Sequence, residues 1–168
     1  PSNAFYRMHA DSAAARARAL GAGGVVYPEA IQIWGLTWWA TPTGQCGAEH
    51  LKFAFAMGLE NAWMALHAHS TLGKDIKPDI GWIKESVRFF DSYYRHETKR
   101  LTGSELGPDG RLRIFPANSI ELLIGAENPI EVVAALRRLS DALTKLEPPL
   151  VSPEEKAYFA NLLTILPE

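Results

Sequence analysis

Between Phe53 and Gly73 the chain carries a single formal charge, Glu60. Leu51, Phe53, Phe55, Met57, Leu59, Trp63, Met64 and Leu66 place apolar side chains on most sides of any helix drawn through them. A helix that is apolar all round is buried on most of its surface. Residues 48–72, closed by Gly73, are therefore expected as a central helix around which the remainder packs.

Four further segments carry helical signals. Residues 5–20 are rich in Ala and Arg, contain no Gly or Pro, and end at Gly21, Gly23 and Gly24. Pro78 opens another helix, whose inner face is Ile83, Val87, Phe90 and Tyr94 at 4-3-4 spacing and which fades in the polar run 95–100. Asn128-Pro129-x-Glu131 places an N-cap, a proline at the first helical position and a glutamate at the third; Ser152-Pro153-Glu154-Glu155 repeats the device. The buried stripes that follow are Val132, Leu136, Leu139, Leu143 and Leu146, then Tyr158, Phe159, Leu162, Leu163 and Leu166. The expected fold is all-α: five helices in one domain over residues 1–168, with two long loops at 25–47 and 101–127. The second loop contains a turn at Pro108-Asp109-Gly110 and an alternating piece, Arg111-Leu112-Arg113-Ile114-Phe115. Loops of that length in a compact domain are often functional.

Composition removes several functions. With 17 basic and 19 acidic residues the net charge is −2, which exerts no overall pull on a polyanion, so nucleic acid is not an expected partner. No apolar run reaches the about 18 residues of a membrane span. One cysteine, Cys46, excludes an internal disulfide framework and a Cys-rich zinc site. The five histidines form no HExxH, and His67 and His69 lie two apart on a helix, facing about 200° away from each other. Gly21-Ala22-Gly23-Gly24 follows a helix and not a strand, unlike a phosphate or dinucleotide loop. No metal and no cofactor are expected.

The carboxylates offer more. Glu29 lies just before a tryptophan cluster (Trp34, Trp38, Trp39), Glu60 is alone on the apolar helix, and Glu121 sits between Ile120 and Leu122-Leu123-Ile124. A carboxyl in apolar surroundings resists ionisation and suits a general acid. Tryptophan faces cover the apolar side of a pyranose ring. Each feature also has a structural explanation: Asn118-Ser119-Ile120-Glu121 fits a capping box, Glu60 fits a buried acceptor, and the tryptophans fit core filler.

Three stretches carry a resemblance. They are Tyr27-Pro28-Glu29-Ala30-Ile31-Gln32-Ile33-Trp34-Gly35, then Met57-Gly58-Leu59-Glu60-Asn61-Ala62-Trp63, then Phe115-Pro116-Ala117-Asn118-Ser119-Ile120-Glu121 followed by Asn128-Pro129. In this order and spacing, the chain resembles the central part of the catalytic domain of glycoside hydrolase family 95 and its fucosidase-like relatives. The resemblance implies part of an (α/α) toroid, a larger (α/α)6 domain of which five helices are under half. It implies inverting hydrolysis of a carbohydrate, with Glu121 as general acid and with Glu29, Gln32, Trp34, Glu60 and Asn118 at the sugar. The family's base aspartate and its assisting asparagines fall outside the matching region. A lone segment is therefore expected to be inactive and to self-associate through helix faces that the ring would cover. The alternative expectation is a carbohydrate-binding or structural helical module without turnover.

Overall fold

The structure is a computed structural model that describes residues 2–28, 31, 53–119 and 123–168. Among these residues the fold is mainly helical, with six helices and one small sheet. The order is α1 (Ser2–Met8), α2 (Ala10–Ala19), α3 (Met57–Leu72), α4 (Ile80–Thr102), β1 (Ala117–Ser119), β2 (Leu123–Ala126), α5 (Ile130–Thr144) and α6 (Pro153–Ile165).

Helix α3 is not buried on most of its sides, which corrects the expectation from hydropathy. Helix α3 begins at Met57, leaving 53–56 non-helical, and it exposes His67, Met64 (55%) and Leu72 (70%). Its inner face is Leu59, Ala62, Ala65 and Leu66. Apolar residues are found inside far more reliably than exposed positions are found to be polar, so α3 tolerates Met64 and Leu72 in water. Helix α4 instead buries two adjoining stripes. One is the expected Ile83, Val87, Phe90 and Tyr94; the other is Trp82, Ser86, Phe89 and Tyr93. Together they let α4 pack against α2, α3 and α5. The helix also runs through the polar stretch at 95–100, where it was expected to fade, and stops at Gly103, whose φ of +84° ends it in the left-handed conformation.

The first helical segment is two helices broken at His9, whose φ of −102° and ψ of 11° depart from helix values. Beyond α2 the chain crosses α4 at close quarters. A Cβ on Gly24 would lie 2.4 Å from the Glu85 carbonyl oxygen and 2.5 Å from the Phe89 nitrogen, and φ there is +82°. Only glycine fits such an approach.

On the other side, α5 buries Val132, Leu136, Leu139 and Leu143, α6 buries Phe159 and Leu162, and Leu166 is buried just past the end of α6; α5 and α6 pack together. In the second loop, Leu112 and Ile114 are buried while their neighbours Arg111 and Arg113 are half-buried, as alternation implies, yet the piece is not a strand. The sheet lies just after it: β1 and β2 pair antiparallel, with Ser119 opposite Leu123 and an irregularity between Ala117 and Asn118. Residues 120–122, and with them Glu121 of the capping-box reading, lie outside the described residues.

Candidate functional site

The first loop is pinned at its start. The Val25 N–H donates to the Glu85 carbonyl at 3.0 Å and Val26 N–H to that of Ala13 at 3.3 Å, while Arg16 donates to the Val26 carbonyl at 3.1 Å. Tyr27 is fully buried; its hydroxyl donates to the Tyr6 carbonyl at 2.7 Å, and its ring meets Tyr6 edge-on at 4.8 Å. Burial, reinforced by the neighbouring Tyr6, pushes its phenol up, so it serves as a neutral donor. A Cβ on Gly58, in the first turn of α3, would come within 3.2 Å of the Tyr27 ring and 3.4 Å of the Ser86 hydroxyl. Glycine at 58 thus lets Tyr27, α3 and α4 meet.

The second loop is pinned beside it. The Tyr94 hydroxyl donates to the Pro116 carbonyl at 3.4 Å, and the Asn118 N–H donates to the Phe53 carbonyl at 3.4 Å. Phe55 packs edge-on against Phe89 and Tyr93, both at 5.4 Å. Segments 25–28, 53–58 and 114–118 therefore dock along α4 between Glu85 and Tyr94. At 1.5 Å rise per residue, that is about 14 Å of helix.

Two of the residues singled out from sequence lie within the described structure. Asn118 is buried in β1. Glu60 is exposed in the first turn of α3 and close enough for its charge to act on Tyr6. Burial, modified by a hydrogen bond from Asn61 and by the Glu60 charge, raises the Tyr6 phenol. The apolar surroundings expected of Glu60 are absent: its carboxyl is in water, while its neighbour Asn61 is buried and donates to the Met57 carbonyl at 3.0 Å. Glu29, Gln32, Trp34 and Glu121 lie outside the described residues. In sequence, Glu29 follows the buried Tyr27 by two positions and Glu121 follows Ser119 by two.

Two clefts were not anticipated. One, of about 650 Å³, is lined by Thr102, Ser104, Asp109, Arg111, Arg113 and Asn128 among others. Its arginines are already engaged: Arg113 makes a two-pronged ion pair with Glu127 (3.0 and 2.9 Å), and Arg111 donates to the Leu166 carbonyl (2.9 Å) and to Glu168. The alternation of Arg with buried Leu and Ile at 111–114 is the sequence signal that would have found it. The other cleft, of about 300 Å³, lies between Gly21 and α4 and is lined by Ser92, Arg95, His96, Lys99 and Glu105. Neither includes Glu60 or Asn118. Among the described residues no three His, Cys, Asp or Glu side chains converge as a metal site, and no helix is long and apolar enough to cross a membrane. No family model, curated protein or solved structure gives a match to this chain.

Proposed function

We propose that this chain holds a carbohydrate between its two loops, as a segment of a glycoside hydrolase-like helical domain of the (α/α) toroid type. In this reading Glu121 protonates the leaving oxygen of an inverting, fucosidase-like cleavage, and Glu29, Gln32, Trp34, Glu60 and Asn118 surround the sugar. The observation that supports it is the shared docking of both loops on one stretch of α4 beside the first turn of α3. A site assembled from residues so distant in sequence needs parts of both loops held near one another, and the docking of 25–28 and 114–118 on α4 supports that. Inversion requires a second carboxylate across the sugar to activate water. The resemblance assigns that base to no residue of this chain, so the chain alone is expected to bind without turnover.

Titrating L-fucose and an aryl α-L-fucoside while following tryptophan emission tests the reading. Saturable quenching that disappears in Trp34→Ala is the expected result; no response to either ligand sinks it. When the missing base is supplied by the remainder of such a domain, Glu121→Gln is expected to lower turnover by about 10²–10⁴-fold. Unchanged turnover would remove Glu121 from the role.

The solvation of Glu60 favours a second reading, a module that binds sugar without cleaving it. An exposed carboxylate can accept hydrogen bonds from sugar hydroxyls without taking part in bond cleavage. Hydrolysis by this chain that Glu121→Gln abolishes would exclude that reading.

A further inference from the structure

A separate feature lies on the face of α4 turned toward Gly21. Ser92, Arg95, His96 and Lys99 follow one another at helical spacing and line the 300 Å³ cleft. The acid that Arg95 and Lys99 both meet in the cleft is Glu105. The Ser92 oxygen accepts from the Gly23 N–H at 2.9 Å, which leaves its own O–H to donate. Arg95 is braced from behind: its Nε donates to Asp91 at 2.6 Å, and Asp91 is held in turn by the Tyr158 hydroxyl at 2.9 Å. That leaves the two terminal nitrogens of the guanidinium for the cleft. His96 forms a wall, its Nε2 3.1 Å from where a Cβ on Gly21 would stand, so glycine at 21 keeps the cleft open.

The acid inside this ring of donors is Glu105, brought in by the turn after α4. Its carboxylate lies 3.0 Å from Lys99 Nζ and 4.0 Å from the Arg95 guanidinium, and it is 52% exposed. Lys99 above all, with Arg95, holds that carboxyl below its usual range despite slight desolvation. Glu105 thus presents its carboxylate to Lys99 and Arg95 from an exposed position in the turn after α4.

We propose that this cleft binds a small divalent oxyanion of the phosphate type, free or as a phosphomonoester, and that Glu105 occupies the position as an intramolecular competitor. A dianion offers more charge and more acceptor oxygens to the same donors than one carboxylate does. The proposal does not rest on the carbohydrate reading, none of whose candidate residues lines this cleft.

The test is an NMR titration with inorganic phosphate at fixed pH and ionic strength, following the amide shifts of Gly21 and Gly23, with chloride as the control. Removing the competitor in Glu105→Gln is expected to tighten phosphate by about threefold or more, in line with the worth of an exposed ion pair. Adding Lys99→Ala to that variant is expected to weaken it by about fivefold or more. Both positions are exposed, and an unchanged melting temperature would show that folding is intact. Phenyl phosphate separates the two sources: equal binding supports a phosphomonoester, whereas exclusion alongside phosphate binding supports the free ion. Shifts reproduced by chloride, or an affinity indifferent to Glu105→Gln, would overturn the proposal.

Discussion

Helices α5 and α6 begin with the same sequence device and use it differently. At α6, Ser152 is extended (φ −74°, ψ 163°); its hydroxyl accepts the Glu155 N–H at 3.2 Å, and the Glu155 carboxylate accepts the Ser152 N–H at 3.0 Å. At α5 the capping residue is Pro129, with no side-chain cap, and Asn128, expected as the cap, stands outside the helix at φ +50°. Its carboxamide oxygen accepts the Ile114 N–H at 2.9 Å while its own N–H donates to the Ile114 carbonyl at 2.9 Å. Ile114 explains the diversion. Its side chain is fully buried, yet it belongs to no strand that would pair its backbone. Buried peptide groups must find partners, and asparagine is among the few residues that tolerate a positive φ while offering a short acceptor. Ser152 faces no such demand. A capping motif therefore locates a helix start to within a residue, but which backbone group the polar side chain serves depends on what packs beside it.

The Asn128 arm is where the largest effect is expected. Asn128→Ala removes the acceptor for a buried N–H and puts a Cβ-bearing residue without local compensation at positive φ, for a loss of about 2–4 kcal/mol in chemical denaturation. Asn128→Gly relieves the backbone part and should recover about 1 kcal/mol of it. Equal losses in the two variants would mean that φ contributes nothing.

Glu155 comes next, because at α6 even the capping box is drawn into tertiary structure. Its carboxylate also meets Lys84 at 2.8 Å and Arg88 at 3.0 Å, while Arg88 pairs in addition with Glu85. Burial acts to raise the Glu155 carboxyl, but hydrogen bonds from Lys84, the Ser152 N–H and Arg88 outweigh it and hold it down to about 2. In the unfolded chain the group returns to about 4.3. Its stabilisation is thus complete above pH ~4.5 and is lost as pH falls toward 2, by about 1–2 kcal/mol after solvent screening. Urea melts between pH 5 and 2 should show that slope, and Glu155→Gln should flatten it. An unchanged slope would place the acid sensitivity elsewhere.

The smallest effect belongs to the local half of the box. Ser152→Ala is expected to cost about 1 kcal/mol, the usual worth of an N-cap hydroxyl. A cost as large as that of Asn128→Ala would erase the distinction between the two helix starts.

Much of the helical framework was legible in the chain. One stripe of α4 and those of α5 and α6 follow from apolar spacing alone, and the end at Gly73 from the tolerance of glycine for positive φ; the second stripe of α4 and its run to Gly103 were not legible. The hairpin β1–β2 was not legible. Ala117-Asn118-Ser119 has little strand propensity and pairs because Phe53 and Tyr94 hold it in place. Of the candidate site, the sequence supplied the order of the motifs, whereas the docking of 25–28, 53–58 and 114–118 on one part of α4 appears only in three dimensions. The exposure of Glu60 was misjudged for a related reason: an apolar neighbourhood in sequence is not one in space when the residue sits on the outer face of a helix's first turn.

By itself, the order of residues determined where most helices lie and which faces they bury, since periodicity and capping act within a few positions. Tertiary structure decided that α4 buries two stripes while the more apolar α3 leaves Met64 and Leu72 in water, that Asn128 secures a loop instead of capping a helix, and that parts of two distant loops are held on one helix. Those outcomes turn on buried backbone groups and aromatic rings finding partners many residues away, and no local pattern encodes which partner wins.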